Sequence, residues 1–531
     1  RLSALDAAFL NLESEHEPMH VAGLYIFEGR PEIPGRPGVP GLFQTVEERL
    51  HLVPRYRQRV QKVPLGLGHP VWVDDPDFDL AYHLRRLALP RPGGKKELLE
   101  VVARLHSRIL DRSRPLWEMY IIEGLQRARV AIYFKTHHAM VDGISAVDVA
   151  TILLDFDATG WKPERSEPFR PPPRLPTPAE LVGDVVKETT GAIMGTAGRL
   201  LQSPARAPRA LVGGALQATQ LRDLLSMLRP VPTGPLNTRV GGARRIELVD
   251  VPLCRVKAIK DVLGGSVNDV FLTAVGEAIN AFLVHRGEDV GDALTYRVMV
   301  PVSMRDESDR LALGNRLAAM FANIPVGRMP ARKRLQMVTR QMKQLKQKQQ
   351  ASVADQLVAL TSSAPAPLHA LASRLGINTQ RMVNLVVSNV PGVDVPVYAG
   401  GARLLQAYPL LPVAANLSVV VCVASYNGGM YFGVVGDYHG FPDLDVLAGG
   451  IEGGIENLER AAGVRPPKQV ARAERSGGLS GQARRQATNG AHRLGSPGPS
   501  PARVSGVSVR EAAQVAAAIA EPVPRRQPVP V

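Results

Sequence analysis

The segment KTHHAMVDGIS, residues 135–145, sets two histidines side by side, with an aspartate four residues beyond the second and a glycine directly after it. An imidazole with an unperturbed pKa near ~6.5 suits proton abstraction around neutrality, and a strand-end loop can present it to a substrate. His138 and Asp142 stand at the spacing of two ligands on a helix. The strand-like run before them, the glycine after them and the lack of a third ligand nearby argue against a metal site, so no metal is expected. Two purely structural histidines are the plainer alternative. Asp142 could orient the loop through a salt bridge, and Gly143 permits a sharp turn. No G-x-S-x-G nucleophile motif accompanies the histidines, which favours direct transfer between two bound substrates over a covalent intermediate.

The elements that must hold this loop follow from periodicity. Residues 129–136 alternate as a strand, and ISAVDVATILLDF predicts a helix with Ile144, Val147, Ala150 and Leu154 on one face, so the histidines fall on a strand-to-helix loop. Residues 1–165 mix strands (HVAGLYIFEG, RVAIYFKTHH) with helices (VARLHSRILD) and read as one α/β unit. Residues 166–240 form a linker. Its proline-rich opening belongs to a stretch starting near Trp161, and its later part is helical at apolar spacing that suits packing or a lipid surface. Residues 241–464 form a second α/β unit, with RRIELVDVPL, YRVMVPVSMR, NLVVSNVPG and NLSVVVCVASYNGGMYFGVVGDY as strands and SVNDVFLTAVGEAINAFLVHRG as a helix. Residues 465–531 are rich in Gly, Ser, Pro, Arg and Ala and are expected to be disordered, apart from a transient helix in SVREAAQVAAAIAE.

A chain of 531 residues with 45% hydrophobic side chains is long enough for two cores. Its net charge is +15, of which the eleven basic and three acidic residues beyond Val464 supply +8. The remainder is mild and lacks interleaved aromatics, so no nucleic-acid groove is expected; anionic lipid or CoA phosphates would account for it. Cys254 and Cys422 are expected to be reduced core thiols. The opening stretch is too polar for a signal-peptide core, and no uninterrupted apolar run is expected to reach the length of a membrane span.

HHAMVDG matches the HHxxxDG signature of CoA-dependent acyltransferases of the chloramphenicol acetyltransferase type and of peptide-synthetase condensation domains. With LSALDAAFL, PMHVAGL, RPLWEMYIIEGL, SVNDVFLTAVGEAI, MVPVSMR, GNRLAAMFANIPV and NLVVSNVPG in order, the chain resembles the bacterial wax ester synthase/diacylglycerol acyltransferase family over residues 2–460. It departs from the family at SNVPGV, where a second proline often follows the glycine, and in its long basic tail.

The resemblance implies an α/β fold of two similar chloramphenicol-acetyltransferase-like subdomains meeting at a central tunnel, with a disordered tail. It implies His138 as general base, deprotonating an acceptor hydroxyl that attacks the thioester of a long-chain acyl-CoA. His137 and Gly143 would support the loop. Asp142 would face an arginine, for which Arg57 is the candidate. Asn268 and Asp269 match the family's Asn-Asp element, which leaves two roles open: a helix cap, or shaping the site and donating to the oxyanion. Pro115, Leu116 and Trp117 would build tunnel wall or packing, and Ser388 and Asn389 would face the cleft or form a turn. No cofactor is implied beyond acyl-CoA as co-substrate.

The high Ala, Gly, Pro and Arg content looks actinobacterial, a group whose enzymes of this type are linked to triacylglycerol storage. Diacylglycerol is therefore the first expected acceptor and a long-chain alcohol, giving a wax ester, the second. The rival readings are a non-catalytic lipid- or acyl-CoA-binding paralogue and a condensation-type enzyme with another acceptor. A cytoplasmic location follows, peripheral on the inner membrane or on lipid droplets.

Overall fold

The computed structural model describes residues 1–29, 42–140, 154–159, 174–188, 190, 231, 234–303, 317–347 and 382–464. The expected tail, residues 166–173, 189, 191–230, 232 and 233 of the linker, and Asp142, Gly143, Ile144, Val147 and Ala150 lie outside the described residues. Residues 178–188, at the opening of the helical part of the linker, are helical.

Two six-stranded sheets carry the fold. The first is built on β1 (His20–Phe27), β4 (Leu84–Ala88), β5 (Trp117–Leu125) and β6 (Arg129–His137), while β2 (Gln58–Gln61) and β3 (Val71–Asp74) pair separately. Helices α1 (Ala4–Leu12), α2 (Leu42–Arg49), α3 (Leu80–His83) and α4 (Lys95–His106) belong to the same half. Strand β6 runs antiparallel between β1 and β5, with His137 opposite His20 and Thr136 opposite Trp117. Its residues from Val130 to His137 are all buried, as expected of a central strand covered on both faces.

The second sheet contains β7 (Arg244–Pro252), β8 (Thr295–Ser303), β9 (Leu317–Pro325), β10 (Leu385–Val390), β13 (Val419–Tyr426) and β14 (Gly429–Asp437), in the order β7-β14-β13-β10-β8-β9. The apolar run 416–438 breaks into a hairpin where Asn427 and Gly428 both take positive φ, 43° and 79°. An Asn-Gly pair is the usual chemistry of such a two-residue turn.

Helices α5 (Leu253–Leu263), α6 (Val267–His285), α7 (Ala331–Gln347) and α8 (Leu444–Ala462) share one large apolar core with this sheet. Helix α6 has the length and apolar content of a membrane span, contrary to the expectation from the sequence; 67% of that window is buried within the protein. It lies against α8 so closely that a Cβ at Gly450 would sit 2.8 Å from the Ala278 Cα, and one at Gly454 2.9 Å from the Ala274 Cα. Only glycine permits that approach.

Three findings revise the expected organisation. Strands β11 (Tyr398–Ala399) and β12 (Ala402–Leu410), from the 241–464 unit, cross into the first sheet, β12 pairing with β1 through Ala22 opposite Leu410. They cover what would otherwise be the open edge of β1. Asp155, placed by periodicity in a helix, instead forms a β-bridge with Tyr398, and its carboxylate pairs with the buried Arg49 guanidinium. Cys254 is exposed near the start of α5, whereas Cys422 is buried and its thiol pKa is pushed up to about 12 by burial.

Candidate active site

Strand β6 ends at His137, and a single 3-10 turn, His138–Met140, begins there. The backbone is held from two directions: His137 N donates to Leu116 O at 2.9 Å, and His138 N donates to Met19 O at 2.7 Å. The two histidines then diverge. His137 is fully buried, while His138 is half-buried with its ring stacked on Phe9 of α1, centroids 3.8 Å apart and planes 19° from parallel.

The tautomer of His137 follows from its neighbours. Ala139 N donates to His137 Nδ1 at 3.0 Å, so that nitrogen is an acceptor and the ring proton sits on Nε2. Nε2 lies 3.4 Å from Glu13 Oε1. Glu13, which caps the C-terminus of α1, also accepts from Met19 N at 3.1 Å and from Arg112 Nε and Nη2 at 2.9 and 2.8 Å. Burial alone would raise the Glu13 carboxyl; His137 and Arg112 outweigh it and hold the pKa at about 2. One ionised carboxylate thus ties α1, the Met19 loop, Arg112 and the histidine pair together.

Pro115, Leu116 and Trp117 are buried beside this strand end. Trp117 stacks on His83 at 4.6 Å and donates from Nε1 to Tyr56 O at 2.8 Å, which is packing within the first core. Arg57 lies at the end of a 3-10 turn where burial lowers its pKa, and Asp74 is the carboxylate whose charge acts on it. Its expected partner Asp142 lies outside the described residues.

The other expected residues gather on the second sheet. Asp269 occupies the N3 position of α6 in a capping box: Ser266 N donates to its carboxylate at 2.8 Å, and Asp269 N donates to Ser266 Oγ at 3.2 Å. Asn268 turns elsewhere, its Oδ1 accepting from Asn389 Nδ2 at 3.4 Å, so the two asparagines meet across the start of α6 and the end of β10. Ser388 is buried in β10 opposite Cys422. Among the described residues no group of three or more His, Cys, Asp or Glu side chains is arranged to hold a metal.

Two mixed sheets, with a half-buried imidazole at the end of a central strand, place the molecule in the condensation-domain class of fold. The starter condensation domain of rhizomide synthetase RzmA, solved as a point mutant in complex with C8-CoA, shares this fold over 87% of the chain and 94% of its own, with a TM-score of 0.52 at 15% identity. Within that class the chain belongs to the wax ester synthase/diacylglycerol acyltransferase family, and it is an acyltransferase.

The family model described as the wax ester synthase/diacylglycerol acyltransferase catalytic domain matches residues 2–271, and the C-terminal domain of the same family matches residues 313–459. A protein of Mycobacterium tuberculosis that carries the name "Probable diacylglycerol O-acyltransferase tgs2" is 33% identical over 470 residues, covering 86% of this chain and 98% of the relative. The wax ester synthase/diacylglycerol acyltransferase of Marinobacter aquaeolei VT8 superposes with a TM-score of 0.60 at 29% identity, over 87% of this chain and all of that one.

Glu13, Arg112 and Phe9 were absent from the residues singled out in the sequence. Phe9 lies within LSALDAAFL and Glu13 a few positions before PMHVAGL, but nothing in the sequence set these side chains apart from their neighbours.

Proposed function

We propose that the protein transfers a long-chain acyl group from CoA to the free hydroxyl of diacylglycerol, making triacylglycerol, and serves long-chain alcohols as second acceptors. His138 acts as general base. Its imidazole takes the hydroxyl proton as the oxygen attacks the thioester carbonyl; the tetrahedral intermediate then expels CoA thiolate, which takes the proton back from the imidazolium. The carbon–sulfur bond breaks as the ester bond forms, and no external reagent is consumed. Asn268 and Asn389 are the candidate side chains for shaping the acyl pocket or donating to the developing oxyanion.

The observation that carries this reading is the contrast between the two histidines. His137 accepts from Ala139 N at Nδ1, has its Nε2 3.4 Å from Glu13 Oε1 and is closed off from solvent, whereas His138 stays partly accessible on a braced turn. General-base assistance is worth about 10²- to 10⁴-fold, and alignment of the two substrates supplies much of the rest. The test is thiol release from palmitoyl-CoA with diacylglycerol and hexadecanol offered separately, wild type against His138→Ala. The variant should melt like wild type and lose about 10²- to 10⁴-fold in turnover. Undiminished product from the folded variant would remove His138 from the chemistry, and acyl-CoA binding without product from either acceptor would make the protein a binder.

A further inference from the structure

Helix α7, ARKRLQMVTRQMKQLKQ, contains no acidic residue. One of its cations is accounted for internally: Arg334 is buried, with Nε 2.9 Å from Glu277 Oε1 and Nη2 donating to Gly327 O at 2.9 Å. Arg332, Lys333, Arg340, Lys343 and Lys346 all lie on the exposed side of the helix. Among the described residues none of these five has a carboxylate within ion-pair distance. Like charges three and four residues apart weaken an isolated helix, so this face works against its own helix unless something anionic lies over it.

At its C-terminal half, the same face borders a cavity of about 400 Å³ lined by Gly265, Ser266, Asp269, Thr339, Lys343 and Lys346 among others. The Asp269 carboxylate there is engaged in the cap of α6. Met337, on α7 itself, is a large apolar side chain that stands exposed.

We propose that the outer face of α7 docks the protein onto an anionic phospholipid surface, with the Lys343–Lys346 cavity receiving a headgroup phosphate. Cations attract an anionic bilayer additively, and the exposed Met337 suits the headgroup boundary. The face exposes no aromatic side chain on which nucleic-acid bases could stack. The choice of lipid over a soluble anion rests on the function proposed above, because a lipid acceptor is drawn from such a surface. Docking here also brings the start of α6, and with it Asn268, next to the lipid.

The experiment is co-sedimentation of the full chain with phosphatidylcholine vesicles and with vesicles containing one quarter phosphatidylglycerol, with no acyl donor present, so the outcome is independent of turnover. Wild type should bind the anionic vesicles, and binding should weaken steeply with salt. The triple variant R340E/K343E/K346E should bind roughly 100-fold more weakly. Residues 465–531 are kept in every chain, so the difference isolates α7. If charge reversal lowers the melting temperature, R340Q/K343Q/K346Q replaces it and should still weaken binding at least about 10-fold. A folded variant that binds anionic vesicles like wild type would overturn the proposal. So would competition by millimolar glycerol phosphate that abolishes vesicle binding, which would make the cavity a site for soluble phosphates instead.

Discussion

Glu13 accepts three hydrogen bonds, from Met19 N and from Arg112 Nε and Nη2, with its side chain only 3% exposed, and its Oε1 lies 3.4 Å from His137 Nε2. Removing the carboxylate should therefore affect rate beyond its effect on folding. Glu13→Gln keeps an acceptor for Met19 N and His137 but loses the charge facing Arg112; it should fold with a lowered melting temperature. Glu13→Ala should lose about 1–3 kcal/mol of stability. At temperatures where it is fully folded, its turnover should fall on the order of 10- to 100-fold with KM unchanged. Wild-type turnover in a fully folded Glu13→Ala enzyme would show that the network is structural alone. The place of His137 and His138 at the end of β6 was legible because strand periodicity runs directly into them. Glu13 was not, since nothing in its own neighbourhood separates it from Glu15 and Glu17; its contacts with Arg112 and the histidine turn arise only when α1 folds back onto β6.

At the scale of elements, periodicity and punctuation located most strands and helices. The Ser266–Asp269 capping box marks the start of α6, and Asn427-Gly428 marks the turn of the β13–β14 hairpin. Register across distant segments was not readable, which is why β12 was placed with the second unit and Asp155 with a helix: both are decided by partners far away in sequence. The α6–α8 contact is likewise a property of the pair. A leucine at position 454 would drive its Cβ and the rest of its side chain into the Ala274 backbone. Gly454→Leu should cost about 1–3 kcal/mol or more, read as a lowered urea midpoint with an unchanged slope. An unshifted midpoint would mean that the helices separate without penalty. Because α6 also carries Asn268, a surviving Gly454→Leu protein should lose activity along with stability.

For the whole molecule, the response to acid is set by two buried histidines in separate places, His83 packed against Trp117 and His106 against Tyr133. His106 hydrogen-bonds the Tyr133 hydroxyl at 2.9 Å, and His83 donates from Nδ1 to Trp117 O at 2.8 Å. Burial pushes His83 down to about 4; burial, with the nearby Arg244 charge, pushes His106 down to about 3. Unfolded, both return to about 6.5. The unfolded chain therefore binds more protons over the acidic range: stability is full above about pH 6.5 and is lost as pH falls towards 4 and 3. Each histidine contributes a slope of up to about 1.4 kcal/mol per pH unit. Urea unfolding at pH 7.5, 6 and 5 should show this decline, and His83→Asn should make it shallower by about one proton; an unaltered slope would mean that the folded protein already carries the proton. The crossing of β11 and β12 has a temporal consequence. During synthesis at ~5–20 residues per second, β6 and its histidines emerge tens of seconds before Leu410 is made. Until then β1 offers a bare, apolar edge to any other nascent chain, so the yield of this enzyme in a cell depends on how well that edge is shielded while the ribosome is still translating its second half.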